Sequence, residues 1–311
     1  MRDDGQAKLA TRALCTCLLI VATGCASVRQ LPNTDVYLAD FDAAAGSVRN
    51  VRNVTVRPGY DNQASFAEGD SMVYFVSDRS GSTDVYRYEP TTGATTRVTY
   101  TADQEFSPTA MTDGRSFSAI RVRKPEAVGE AYTNSQQLWR YELSGRPIAP
   151  ITGLNRVGYH CWLGGNTVAM FIVGDDDAKR PHTLVLYDLV SRTSSTVTSN
   201  IGRSLQRMPD GRLSFVDKSD TTSWVLSAVG TSGPGIAPLI SMPKGSEDVC
   251  WLPDGMALTT EGSDILGWKP PMKTWRIVAS IPTANGPISR LRTDAAGKRI
   301  VFSVLEPTQT R

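Results

Sequence analysis

The sequence predicts an all-β protein, a six-bladed β-propeller of four-stranded antiparallel blades. Three observations point there. Alternating apolar runs, broken by Gly, Pro and Asp turns, recur along most of the chain, which is the strand and hairpin pattern. Two kinds of hairpin alternate, and each returns six times. The starts of one kind, near Asn62, Glu105, Tyr159, Arg203, Glu247 and Ser289, lie about 42 to 54 residues apart, the spacing of propeller blades. An irregular β-sandwich would not need one pattern to return at fixed intervals.

The chain opens with an export segment over residues 1–24. Arg2, Lys8 and Arg12 supply a basic start, interrupted by Asp3 and Asp4, and residues 13–21 supply an apolar stretch. That stretch is too short and too near the start for a spanning helix. Ala22-Thr23-Gly24-Cys25 resembles the lipobox of bacterial lipoproteins, although that family usually has Leu where Ala22 stands. The resemblance implies cleavage before Cys25, a diacylglycerol on its sulfur, and residues 25–34 as a lipidated tether. Two or three acyl chains anchor a protein stably where one chain is marginal. Ala26, not Asp, follows the cysteine, which in the resembling Gram-negative proteins implies the periplasmic face of the outer membrane. The alternative is an ordinary signal peptide cut at Ala22 or Ala26, with Cys25 incidental.

The propeller is expected over residues 35–305. Its first hairpin, residues 35–56, belongs to the outer kind, and later copies begin at Asp84-Val85-Tyr86, Leu138-Trp139, Leu184-Val185-Leu186, Trp224-Val225-Leu226 and Asp264-Ile265-Leu266. The inner kind turns at Asp-Gly-type sequences such as Asp113-Gly114, Asp210-Gly211 and Asp254-Gly255, with degenerate versions at residues 68–70 and 164–166. The chain thus begins with an outer hairpin and ends with an inner one, residues 288–304. Pairing the two completes a sixth blade and removes the open sheet edges of an unclosed stack.

Blade 1 carries a resemblance to a family. Gly59-Tyr60-Asp61-Asn62-Gln63, Tyr74-Phe75-Val76-Ser77-Asp78-Arg79-Ser80-Gly81 and Asp84-Val85-Tyr86 resemble the repeat of TolB-type β-propellers, most specifically at the Ser-Asp-Arg-x-Gly turn. The resemblance covers roughly residues 35–305 and implies envelope-associated protein or peptide partners. TolB itself carries an additional α/β domain ahead of its propeller and prolyl-peptidase relatives carry a hydrolase domain; the expectation here is a propeller alone, and a monomer.

Composition narrows the function. With 33 basic and 31 acidic residues, net charge +2, the chain has no electrostatic footprint for nucleic acid. Two histidines exclude a multi-histidine metal site, and neither metal nor cofactor is expected. No nucleophile elbow, phosphate loop or Cys-x-x-Cys pair occurs after the export segment. The run Gly230 to Gly235 lacks the Lys-Ser/Thr ending of a nucleotide loop and reads as a hairpin turn. Asp175-Asp176-Asp177 lacks calcium-loop spacing and reads as a solvated tip. Cys161 and Cys250 each precede a tryptophan on inner strands of non-neighbouring blades, too far apart for a disulfide.

The candidate site lies where the inner strands start. Read in register, the positions are Asp61 and Asn62, Glu105 and Ser107, Tyr159 and His160, Arg203 and Ser204, Glu247 and Asp248, Ser289 and Arg290. Equivalent positions converge on one channel mouth, where a protein or peptide partner would bind. The bland reading is a wet, solvated rim, whose charges would contribute little to stability. Two alternatives of function stay open: a propeller enzyme, a hydrolase or lyase acting on a polysaccharide or small anionic substrate at the mouth, and a structural ring without a ligand.

The lipobox yields a direct prediction. Cys25→Ala abolishes fatty-acid labelling and releases the protein in soluble form; a variant that stays labelled and membrane-bound overturns the anchor.

Overall fold

The computed structural model describes residues 31–307 apart from 68, 70, 125–131, 165, 176–177, 231–234 and 282–285. The export segment and Cys25 therefore lie outside the described residues, as do Asp176, Asp177 and the centre of the Gly230 to Gly235 run. The first hairpin is β1 (Thr34–Asp42) and β2 (Ser47–Asn53). Blade 1 follows with β3 (Asp61–Phe66), β4 (Val73–Ser77), β5 (Asp84–Glu89) and β6 (Ala94–Arg97). Blade 2 is β7 (Gln104–Ala110), β8 (Ser116–Val122), β9 (Gln136–Glu142) and β10 (Pro147–Pro150). Blade 3 is β11 (Val157–Gly164), β12 (Thr167–Ile172), β13 (Thr183–Asp188) and β14 (Thr193–Ser199). Blade 4 is β15 (Ile201–Arg207), β16 (Leu213–Asp217), β17 (Val225–Val229) and β18 (Ile236–Ser241). Blade 5 is β19 (Cys250–Trp251), β20 (Ala257–Glu261), β21 (Asp264–Trp268) and β22 (Arg276–Ser280). The last strands are β23 (Ile288–Thr293) and β24 (Arg299–Leu305).

Each sheet has four antiparallel strands, and the sixth has the order β2-β1-β24-β23. The chain ends meet in one blade, so the ring closes as the hairpin order predicts. The closing pair is antiparallel, from Thr34 opposite Leu305 to Asp40 opposite Arg299.

The core is not one mass but six seams, one between each pair of adjacent blades. The second and third strands of a blade are covered on both faces, so alternate residues serve different seams. In β1, Val36 and Leu38 pack toward blade 1, while Tyr37, Ala39 and Phe41 pack toward blade 5. The same division puts Phe117 and Ala119 of β8 against blade 1 and Ile120 and Val122 against blade 3. The outermost strands keep one face in water, and β2 and β14 are accordingly polar and largely exposed. Cys161 packs in the seam between blades 3 and 4, Cys250 in that between blades 5 and 6, and both thiols are free.

Closure gives the second prediction. Deleting residues 34–55 strips β24 of its partner and opens two edges, so cooperative thermal unfolding is lost. Phe302, fully buried and stacked on Tyr37 across the closing pair with ring centroids 5.6 Å apart, tests the same contact more gently. Phe302→Ala costs about 3–5 kcal/mol, measured by denaturant unfolding, and a cost under about 1 kcal/mol would show that the closing pair contributes little.

Candidate functional site

The inner strands share an irregularity. Pairing slips in β3 between Asn62 and Ser65, in β7 between Phe106 and Thr109, in β15 between Ile201 and Leu205, and in β23 between Ser289 and Arg292. β11 slips between Val157 and Tyr159. An extra residue in one strand re-aims the side chains beside it. Gln63, Ser107 and Arg290, at equivalent places in these bulges, have φ of 55°, 52° and 57°. These are left-handed conformations that non-glycine residues adopt at a cost.

Gln63, Ser107, Tyr159, Arg203 and Arg290 meet at the axis with Asp248, one from each blade; Asp248 lies just before β19, whose pairing shows no slip. Gln63 Oε1 accepts from Ser107 N at 2.7 Å and Ser107 Oγ at 3.0 Å, and Gln63 Nε2 donates to Tyr60 Oη at 3.0 Å. Asp248 Oδ2 accepts from Arg203 Nη2 at 2.8 Å and from the backbone N of Arg290 at 3.0 Å. Glu247 accepts from Arg203 N at 2.6 Å and pairs with Lys218 Nζ at 3.0 Å. Arg290 Nη2 donates to Tyr159 Oη at 2.9 Å, with the guanidinium 4.9 Å from the Tyr159 ring centre. Those two residues come from blades 6 and 3, on opposite sides of the ring. The contact bridges the channel.

Electrostatics at this level are strongly coupled. Burial alone would raise the Asp248 carboxyl, but the charges of Arg290 and Arg203 and their hydrogen bonds hold it well below the usual carboxylate range. Removing one partner of such a buried pair is costly, of order 3–5 kcal/mol. The bland picture of a wet rim with weak charges therefore does not describe Asp248, which is buried, although its partner Arg203 is only half-buried. Solvent reaches this end at the half-buried Arg57, Asp78, Arg79, Arg203 and Lys218.

Not every expected mouth residue reaches the axis. Asp61 and Glu105 stand at the register of Val157, Ile201 and Ile288, which pack in seams. The reason is pleat phase: two residues before the bulge, a side chain points at a neighbouring blade. Asp61 is compensated there by Arg57 at 3.0 Å and Arg79 at 3.1 Å. Asn62 also leaves the axis, holding Ser303 Oγ at 3.2 Å and Thr34 Oγ1 at 3.2 Å across the seam to the closing blade. Glu105 is fully buried, bonded to Thr101 and, at 3.3 Å, to Tyr141, with Oε2 unpartnered. Burial pushes its carboxyl up to about 7.

His160 turns toward blade 2 as well as lining the channel cavity. Its Nε2 lies 2.7 Å from Ser118 Oγ, which also accepts from Trp162 Nε1 at 2.9 Å. Trp251 Nε1 repeats the contact on Ser214 Oγ at 2.8 Å two blades on. Burial pushes His160 down to about 3, so it is a neutral ring at physiological pH. The thiols of Cys161 and Cys250 are pushed up to about 12 by burial, which leaves them unreactive as nucleophiles. Gln63 was missed by the sequence reading; holding one offset across all blades, as Ser107 and Arg290 do, would have selected it. Arg292, two residues beyond Arg290 and also at the cavity, was missed too.

The fold and this axial network define a six-bladed propeller with a polar, bridged channel. No family model and no curated protein matches the sequence. Among solved structures it is similar to a protein assigned as TolB from Agrobacterium tumefaciens, with TM-score 0.67 and 12% identity over 88% of this chain and 99% of that one. TolB from Acinetobacter baumannii is similar with TM-score 0.55 and 12% identity, over 88% of this chain and 63% of that one. An oligogalacturonate lyase in complex with manganese gives TM-score 0.56 and 16% identity, over 83% of this chain and 80% of that one. At such identities the likeness is of fold: this is a TolB-like propeller. Among the described residues no group of three or more His, Cys, Asp or Glu is placed to hold a metal ion.

Glu105 yields a pH prediction. Its folded-state pKa lies above the ordinary carboxyl value, so the native state holds the proton more tightly and stability falls as pH rises between about 4.5 and 7. Above that window the cost is constant, at most of order 3 kcal/mol. Glu105→Gln raises the melting temperature at pH 8 and leaves it nearly unchanged at pH 4.5. An equal shift at both pH values would show that ionisation of Glu105 is not the cause.

Proposed function

We propose that the protein is a lipid-anchored, periplasmic propeller that binds a protein or peptide partner of the cell envelope on the mouth of its ring. The observation that carries this is the Tyr159–Arg290 bridge across the channel. It closes the axis to a threading polymer and leaves the outer surface of the mouth as the recognition face. That face presents charges of both signs, Arg57, Arg79, Arg203 and Lys218 beside Asp78 and Glu247, which suits a polar or zwitterionic partner better than a strongly charged polysaccharide. Charges at such a rim govern partner choice and association rate. The TolB-like fold supports the same assignment by analogy alone.

A photo-crosslinking residue distinguishes the two ends of the ring. Lys218 lies in the turn after β16, on the mouth, and the exposed Val190 lies in the turn after β13, on the opposite end. A crosslinker at position 218 captures one defined envelope partner in intact cells and one at position 190 does not. Capture from position 190 alone moves the interface to the Asp-Gly-turn face. Turnover of an oligosaccharide by the purified protein would favour the enzyme instead.

A further inference from the structure

Below the bridge the channel holds a cavity of about 50 Å³, lined in part by Gln63, Ser107, His160, Arg203, Arg290 and Arg292. Its charge is unbalanced. Three arginines, Arg203, Arg290 and Arg292, line it, and the nearby carboxylates Asp248 and Glu247 both pair directly with Arg203. Glu247 is shared with Lys218, and Asp248 acts on Arg290 and Arg292 through its charge without a direct guanidinium pair. Among the described residues, no carboxylate lies within ion-pairing distance of the Arg290 or Arg292 guanidinium. Arg290 uses one nitrogen on Tyr159, and Arg292 donates through Nη1 to the carbonyl of Leu291 at 2.9 Å. Most of the donors of two guanidinium groups thus remain for whatever fills the cavity.

A second observation comes from the other wall. Ser118 Oγ accepts from Trp162 Nε1 at 2.9 Å, lies 2.7 Å from His160 Nε2 and 3.3 Å from the carbonyl of Thr109, so the tautomer of the ring decides whether a proton sits on Nδ1. That atom is buried, in a residue 8% exposed, and has no protein partner. Two guanidinium groups with donors to spare around one small cavity share one need, an acceptor carrying negative charge, and the His160 ring, its Nδ1 unpartnered, stands in the same lining.

We propose that the channel cavity binds a small monocarboxylate anion of acetate size, held by the guanidinium groups of Arg290 and Arg292. Guanidinium forks match a planar carboxylate, and the cavity has room for only a few water-sized groups. Burial lowers the Arg292 pKa from its ordinary value against the pull of Asp248.

Acetate itself is the probe, titrated into the full propeller at constant ionic strength with chloride as the balancing ion. Binding is read by calorimetry and by the rise in melting temperature that a native-state ligand produces. The expected result is saturable acetate binding, weakened about tenfold or more in Arg292→Gln and restored only in part by Arg292→Lys, which keeps the charge and loses the fork. Arg292→Gln folds at least as stably as the wild type in acetate-free buffer, because it removes an unpaired cation. The proposal is overturned if acetate shows no saturable effect beyond chloride, or if Arg292→Gln binds it as well as the wild type. A mouth partner captured through position 218 is a separate matter, so either conclusion can fail without the other.

Discussion

The antiparallel pairing of β1 with β24 is the contact on which the ring depends. Every other blade is made from consecutive hairpins and would form its four strands locally. The sixth is made from the two ends of the propeller, and only when Thr34 reaches Leu305 do both seams of that blade have a second wall. Tyr37 and Phe302 stack across this pair, and Asn62 ties the same blade to blade 1 through Ser303 and Thr34. The seams are adhesive surfaces between sheets, so closure converts six separately unstable sheets into one cooperative body. Pairings this distant in sequence make the fold slow to form and hard to open piecemeal.

Closure also fixes what happens at the axis. Six inner strands held around one line bring equivalent residues together whatever their charge, and the ring must then neutralise or hydrate them. The bulges accomplish part of this. A left-handed residue turns its backbone N–H sideways, and at Ser107 and Arg290 that N–H finds the side chain of the neighbouring blade, Gln63 Oε1 and Asp248 Oδ2. Backbone strain of this sort often marks function. Here it has a structural outlet, because it builds the axial network that links one blade to the next.

The architecture was legible in the sequence and the phase of the site was not. Blade spacing, hairpin order and closure follow from turns and alternation, which repeat over many residues and average out local irregularity. Which side chain meets the axis depends on an inserted residue or two in most of the inner strands, and a bulge leaves little trace in composition. Tyr159, Arg203, Asp248 and Arg290 were read at the correct offset; in blade 1 the chosen residues fell one and two places early, at Asp61 and Asn62, and Gln63 was passed over. Glu105 shows the same slip in blade 2, and its neighbour Ser107 is the residue that reaches the axis. The burial of His160 was equally invisible, because it depends on Ser118 and Trp162 meeting it from two different blades.

Seams and axis differ in how they settle an unfavourable group, and that difference separates structure from recognition. In the seams, polar intruders are answered from within the chain: Asp61 by two arginines, the indoles of Trp162 and Trp251 by serines on the preceding blade. Glu105 has no direct ion pair among the described residues, and burial outweighs the charge of Arg121, so it holds its proton instead. At the axis the answers stop short. Asp248 satisfies Arg203 and the backbone of Arg290, but Arg292, which lines the cavity, is bonded through one nitrogen to the Leu291 carbonyl and to no carboxylate among the described residues. A sequence that answers Asp61 within its seam and leaves guanidinium donors of Arg290 and Arg292 open on one cavity departs there from local consistency. Departures of that kind are where folded chains carry out recognition, and the sign of the charge left over says that what is recognised there is an anion.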